Sequence, residues 1–292
     1  MISILIPTYN YNVFPMVESL HKQAINLAID FEINVYDDCS PNPEAANERI
    51  NGLSNASFVI LKENIGRSAI RNLLAKNARF ENLLFLDADT KVIKEDFLQN
   101  YLKAIKKETE IIYGGILYQK NPPSTEEMLR WHYGNQREAL PVSERIKQPY
   151  LRFLTLNFLI KKSVFSKISF NEEIPNLRHE DTLFALDAKA KKLNIVHIDN
   201  PVIHLGLESS EIFLRKSRES VESLQSFVAQ GLFKANETGL SAKAATLKKL
   251  GLSGMASLFY KTFRSGMEKN LLSAQPSLFI FDIYRLGYYL SL

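Results

Sequence analysis

The sequence predicts an α/β protein: a mixed, mainly parallel sheet with helices on both faces, followed by a C-terminal helical region. Three observations predict it. Short apolar runs alternate with helical periods through the first two hundred residues, the pattern of β-α-β crossovers. The runs are nearly continuous in apolar character, as in strands buried on both faces. Beyond His204 strand-like runs cease and helical spacing continues to the end.

The elements follow in order. "ISILI" (2–6) is a short apolar run bounded by Pro7. Phe14, Val17, Leu20, Ala24, Ile25 and Ala28 then recur at helical spacing. "FEINVY" (31–36) alternates like a strand and stops at Asp37-Asp38, and "SFVIL" (57–61) is a further strand. "SAIRNLLAKNA" (68–78) sets Ala69, Ile70, Leu73, Leu74 and Ala78 on one helical face, and "NLLFL" (82–86) is a strand again. Phe97, Tyr101, Leu102 and Ile105 mark another helix. "IIYGGILY" (111–118) and "FLTLNFLI" (153–160) read as later strands, separated by a long, polar, proline-bearing segment at 119–150. A connection of that length carries function or is mobile. The expected division is 1–205 for the α/β domain and 206–292 for the helical region.

The composition is that of a globular chain: 292 residues, 46% hydrophobic and 23% charged. One cysteine, Cys39, excludes an intrachain disulfide and fits a reducing compartment. "MISILIPTYN" carries no basic leader and long apolar core, so no signal peptide is expected. No stretch reaches the roughly 20 apolar residues of a membrane-spanning helix. Of the formal charge of +4, residues 241–292 hold +5, from seven Lys/Arg against Glu268 and Asp282. The basic excess is thus a C-terminal property. With no block of like charges and no RNA-binding aromatic signature, nucleic acid is not an expected partner.

Three predicted strands end in polar clusters: "PTYN" (7–10), "DDCS" (37–40) and "DADT" (87–90). In open α/β sheets, ligands sit beyond the carboxyl ends of the strands, so three such loops on one rim describe a site. Asp87 and Asp89 occupy alternate positions, and both side chains can point the same way. Carboxylates that close repel unless a cation or a proton intervenes. Hard oxygen ligands on an incomplete site suit Mg²⁺ or Mn²⁺ completed by substrate phosphates. The bland alternative is a polar turn capping the next helix.

At this point the residues resemble the family 2 glycosyltransferases of the GT-A fold. The likeness lies in "ISILIPTYN", in "VYDDCSPN" (35–42), in "ENIGRSAIRNLLAKNARFENLLFLDADT" (63–90) and in "RHEDTLFALDAKAKKLNIVHI" (178–198), in that order. The third block is the most specific. The resemblance implies that Pro7, Thr8 and Tyr9 line a base and ribose pocket, and that Asp38 accepts a hydrogen bond from the base, which favours uracil. It implies that Arg71 faces the nucleotide, that Asp87 binds the ribose or supports the metal, and that Asp89 binds the metal directly. His204 would complete the metal site, with Mn²⁺ somewhat preferred to Mg²⁺. His197, inside an apolar run, reads instead as a satisfied core histidine. Asp181 would be the catalytic base and Glu180 would hold the acceptor, although acids in a first helical turn also stabilise a helix without further role. Asn157 either touches a sugar or satisfies buried backbone.

The activity so implied is inverting transfer of a hexosyl or N-acetylhexosaminyl group from a UDP-sugar to a hydroxyl of a glycan or lipid-linked acceptor, as in polysaccharide biosynthesis. A non-catalytic nucleotide-sugar-binding partner and a nucleotidyltransferase are the alternatives; the latter usually carries a glycine-rich phosphate loop, which "PTYNYNVF" is not. Apolar and aromatic residues recur among lysines from Leu247 to Arg264, and "LFIFDIYRLGYYLSL" ends the chain. Such a tail suits peripheral contact with an anionic membrane, or packing on its own core or a partner. The expected location is cytoplasmic, at the inner face of the cell membrane.

Overall fold

A computed structural model describes residues 1–173 and 179–292. The chain begins β1 (Ile2–Thr8), α1 (Phe14–Asn26), β2 (Phe31–Asp37), β3 (Ala56–Ile60), α2 (Gly66–Asn77), β4 (Asn82–Leu86), β5 (Thr90–Val92) and α3 (Phe97–Ala104). It continues through β6 (Ile111–Tyr113), β7 (Ile116–Leu117), α4 (Met128–Tyr133), α5 (Val142–Arg145), β8 (Asn157–Lys161), α6 (Lys162–Phe165) and α7 (Glu180–Ala190). β9 (Ile195–His197) and β10 (Val202–His204) precede the helices α8 (Ser210–Ala229), α9 (Gly239–Lys249), α10 (Ser253–Leu271) and α11 (Leu278–Ser291).

Seven strands form one sheet in the order β3-β2-β1-β4-β8-β6-β9. β8 alone runs antiparallel to its neighbours, β4 and β6; the other pairings are parallel. The sheet is therefore mixed and mainly parallel, as the alternating pattern predicts. β2, β1 and β4 are adjacent and parallel, so their polar ends lie side by side on one rim. β1 shows why its run reads as continuously apolar: Ile2, Ile4, Leu5 and Ile6 are all fully buried. Leu5 packs with Ile70 and Leu74 of α2 and with Phe85, Phe158, Phe165 and Phe184 in one core cluster. Phe170 stacks on Phe184 with centroids 4.6 Å apart. Residues at alternate positions of β1 point to the opposite face, where α1 buries Val17, Leu20 and Ala24.

The reading of "IIYGGILY" as one strand is corrected. β6 belongs to the large sheet, whereas β7 joins β5 and β10 in a second sheet of three strands. The switch lies at Gly114-Gly115. A Cβ on Gly114 would stand 2.5 Å from Asn157 Nδ2, the Asn200 carbonyl and the Tyr101 hydroxyl, and Gly115 has φ +102°, a conformation that favours glycine. The strand expected at 153–160 starts only at Asn157. Asn157 resolves its own two readings in favour of the backbone. Its Nδ2 donates to the Gly115 and Asn200 carbonyls at 2.9 and 3.0 Å, and its Oδ1 accepts the Tyr101 hydroxyl at 2.7 Å. Asn157→Leu strands these buried partners and is expected to destabilise the fold by about 3 kcal/mol, read as a lower urea midpoint with unchanged slope.

The residues fall into two compact units. One comprises Met1–Gln119 with the described residues of Glu138–Asn176 and Glu180–Gly206, and carries both sheets. The other comprises Lys120–Arg137 and Leu207–Leu292, with His179. Its core is built from Leu129, Leu214, Tyr260, Met267, Leu271, Phe281 and Tyr284. Glu268 accepts bonds there from Arg218, Arg264 and the Tyr284 hydroxyl at 3.2, 2.9 and 2.7 Å. A Cβ on Gly287 would lie 2.5 Å from that of Tyr260, so the glycine lets α10 and α11 approach closely.

Candidate active site

The site is assembled from the loops that leave β1, β2 and β4. Thr8 ends β1 buried, and its hydroxyl donates to the Tyr11 carbonyl at 3.2 Å. Pro7 is partly buried and Tyr9 is half exposed, so its ring is open to a ligand. The loops after β1 and β2 are latched together. Ser40 donates its N–H and hydroxyl to Asp37 at 2.6 and 2.8 Å, and its Oγ accepts the Asn10 N–H at 2.7 Å. Asn10 and Cys39 both sit in the left-handed region, at φ 51° and 58°. Backbone held this way needs support from its surroundings, and such support clusters at binding sites.

Asp38 has a structural task. Its two carboxylate oxygens accept the Ile65 and Gly66 N–H groups at 2.8 and 3.0 Å, which supplies the start of α2 with an anion from another loop. Each oxygen keeps a further lone pair, so the acid can still accept a bond from a base.

Arg71 is buried in α2 and is the counter-charge of the site. Its Nη2 donates to Asp87 Oδ1 at 2.6 Å and its Nη1 to the Arg67 carbonyl at 3.1 Å. Burial alone would lower its pKa, but Asp87, Asp181 and Glu180 outweigh that and raise it. Its Nε is buried and, among the described residues, bonds to no protein atom.

Asp89 lies beside His204, with Oδ2 3.3 Å from Nε2. Burial pushes the Asp89 carboxyl up, but the histidine's hydrogen bond and charge, with Arg67 beyond, bring it below its usual value. Tyr11, absent from the sequence-based set, is pushed up by burial and by Asp89. A Cβ on Gly206 would stand 2.3 Å from Asp89 Oδ2 and 3.2 Å from His204 Cε1, so this glycine clears the space that the pair occupies. His204 Nδ1 is buried with no bonding partner among the described residues. An imidazole and a carboxylate are ligands suited to Mn²⁺. Among the described residues no three His, Cys, Asp or Glu side chains gather to hold a metal. The pair therefore fits a cation that takes its remaining ligands from phosphate and water.

Glu180 and Asp181 open α7, and Arg178, which begins their block, lies outside the described residues. Glu180 receives Arg67 Nη1 at 3.4 Å. Asp181 is the most perturbed acid of the group. Burial and the neighbouring Glu180 charge push its carboxyl up to about 6, against the pull of the Thr155 hydroxyl and of Arg71. Thr155 donates directly to Asp181 Oδ1. Nothing in the run "FLTLNFLI" marks that hydroxyl, because its partner is 26 positions away. His197 is a core histidine: buried, bonded through Nε2 to the Pro149 carbonyl at 3.0 Å, and lowered to about 4 by burial and Arg145.

Acids and arginines on the carboxyl rim of a mainly parallel sheet stand where open α/β proteins bind their ligands. The model of the family "Glycosyl transferase family 2" matches residues 3–172. The chain belongs to glycosyl transferase family 2. It is 25% identical over 232 residues to the protein of Bacillus subtilis (strain 168) named "Putative glycosyltransferase EpsH"; the match covers 76% of this chain and 65% of that one, just under two thirds of its length. Among solved structures, S. aureus TarS 1-349 in complex with UDP-GlcNAc is similar with TM-score 0.52 at 18% identity, covering 99% of this chain and 90% of that chain. The mannosyltransferase PcManGT from Pyrobaculum calidifontis, in complex with GDP-Man and Mn²⁺, is similar with TM-score 0.52 at 16% identity, covering 94% and 85%. At these identities the structures establish the GT-A-type fold.

Proposed function

We propose that this glycosyltransferase moves a hexosyl or N-acetylhexosaminyl group from a UDP-sugar to a hydroxyl of a glycan or lipid-linked acceptor, with inversion at the anomeric carbon. The observation that carries the reading is Asp181: a partly buried carboxylate, bonded to Thr155, whose pKa is drawn towards neutrality beside Arg71 and Asp87. A base tuned near the working pH is what proton removal from a hydroxyl requires. The acceptor hydroxyl gives its proton to Asp181 as its oxygen bonds to the anomeric carbon, and the bond from that carbon to the diphosphate breaks. Glu180 orients the acceptor. Tyr9, Pro7 and Thr8 border the base and ribose, with Asp38 accepting from the base. Arg71 holds Asp87 towards the ribose. Asp89 and His204 hold Mn²⁺ or Mg²⁺, which when bound neutralises charge on the departing diphosphate.

The S. aureus structure holds UDP-GlcNAc and the P. calidifontis structure GDP-Man with Mn²⁺, which supports a nucleoside-diphosphate sugar as the donor class. The basic residues of 206–292 support peripheral contact with the inner face of the cell membrane, where a lipid-linked acceptor would be met; among the described residues no helix is long and apolar enough to cross a membrane.

A panel of nucleoside-diphosphate sugars with Mn²⁺, read as nucleoside diphosphate released, tests the proposal. Wild type is expected to turn over a UDP-sugar, and Asp89→Ala to lose about a hundred-fold or more of that rate. Turnover by Asp89→Ala equal to wild type would remove Asp89 from the metal site.

A further inference from the structure

The second compact unit carries an apolar surface that its own core does not use. α10 is buried along one side through Tyr260, Met267 and Leu271. Leu252, Met255, Phe259 and Phe263 recur at spacings of three and four on another side, with Leu258 beside them. All five are exposed, Leu258 by 66%, Met255 by 64% and Phe263 by 54%. The Phe259 and Phe263 rings lie 4.7 Å apart and form one continuous patch. Soluble surfaces seldom keep so much aromatic and aliphatic area together without a partner.

The charges around the patch select the partner. Between Leu247 and Leu271 the sole acid is Glu268, and it is turned inward to Arg218, Arg264 and Tyr284. Lys249, Lys261 and Lys269 are exposed, and among the described residues none of them is in an ion pair. An acid-free apolar stripe flanked by free lysines is complementary to an anionic bilayer surface.

We infer that the exposed side of α10, centred on Met255, Leu258, Phe259 and Phe263, lies in the headgroup region of an anionic membrane, with Lys249, Lys261 and Lys269 on lipid phosphates. This rests on the peripheral-contact reading above and gives it a surface. It does not depend on the assignment of the catalytic residues. Docking there would hold the enzyme where a lipid-linked acceptor is found.

The test is flotation of the full chain with vesicles of phosphatidylcholine, with and without phosphatidylglycerol. The expected result is binding that requires phosphatidylglycerol and falls with salt. The triple change Leu258→Glu, Phe259→Glu, Phe263→Glu is expected to weaken it about a hundred-fold or more. Replacing Lys249, Lys261 and Lys269 by Gln is expected to weaken it about five-fold per lysine. These side chains are exposed, so the thermal melt and the release of nucleoside diphosphate in solution should stay at wild-type values. Wild-type binding that the triple change leaves intact overturns this surface while sparing peripheral contact. Failure of wild type to float overturns both, and equal binding to pure phosphatidylcholine overturns the anionic membrane as the partner and the lysines as what selects it. A wild-type dimer that the triple change dissociates, with no flotation, assigns the patch to a second copy and overturns the inference.

Discussion

Asp181→Asn is expected to lower sugar transfer by about 10²- to 10⁴-fold, the usual worth of a positioned general base. The substitution keeps size and shape, and the amide oxygen can still accept the Thr155 hydroxyl that Asp181 now accepts. What is lost is the ability to take a proton. Affinity for the donor should stay within a few-fold of wild type, because the lesion is confined to the transition state. The pH profile supplies a second reading. A base works only when ionised, so wild-type turnover should fall as pH drops through about 6, the value to which burial and Glu180 push this carboxyl. Below that point the slope should approach tenfold per pH unit.

The same perturbation predicts a stability change of opposite sign to the loss of activity. A carboxyl whose folded pKa is raised favours the folded state while protonated. That contribution is complete below the unfolded value of about 4 and is lost as pH rises through about 6. At neutral pH the ionised Asp181 is therefore a cost to the folded state. Asn carries no such charge, so Asp181→Asn should melt higher than wild type at pH 7.5 and at nearly the same temperature at pH 4. An equal or lower melting point at pH 7.5, with transfer unimpaired, would make Asp181 an ordinary first-turn helix acid.

Much of this arrangement is legible in the amino-acid sequence, and what escapes it does so for identifiable reasons. β1, β2 and β4 read clearly because strands buried on both faces must be continuously apolar, and the polar residues that end them must lie at the rim. Asp89 and His204 read as partners through family resemblance, and they stand 3.3 Å apart. Local pattern does not reveal pairings across the fold. Asp38 reads as a ligand for a base, yet its oxygens also anchor the loop before α2, 26 to 28 positions on. Thr155 is a hydroxyl in an apolar run until the fold brings α7 to it. The break at Gly114-Gly115 is invisible as periodicity, because what forbids a side chain at Gly114 comes from Tyr101, Asn157 and Asn200. Gly206 is similar: its reason is the Asp89 carboxylate more than a hundred positions earlier.

Arg71→Met carries the other large effect, and it separates electrostatic support from catalysis. Methionine retains much of the apolar stem while removing the charge that Asp87 meets at 2.6 Å. Deleting one member of a buried pair leaves the other desolvated and unpaired. Asp87 keeps about 30% of its side-chain surface in water, which softens the penalty, and a loss of about 3 kcal/mol of stability is expected. The arginine also lowers the pKa of Asp181, so its removal must raise it further. The acid limb of the pH–rate profile should then move to higher pH, and turnover at neutral pH should drop because a larger share of Asp181 is protonated. Raising the pH should restore part of that drop in Arg71→Met and none of the loss in Asp181→Asn. The two variants thus give opposite answers to one titration. An unshifted acid limb in Arg71→Met would mean that the arginine does not set the charge state of the proposed base, and its part would shrink to holding Asp87.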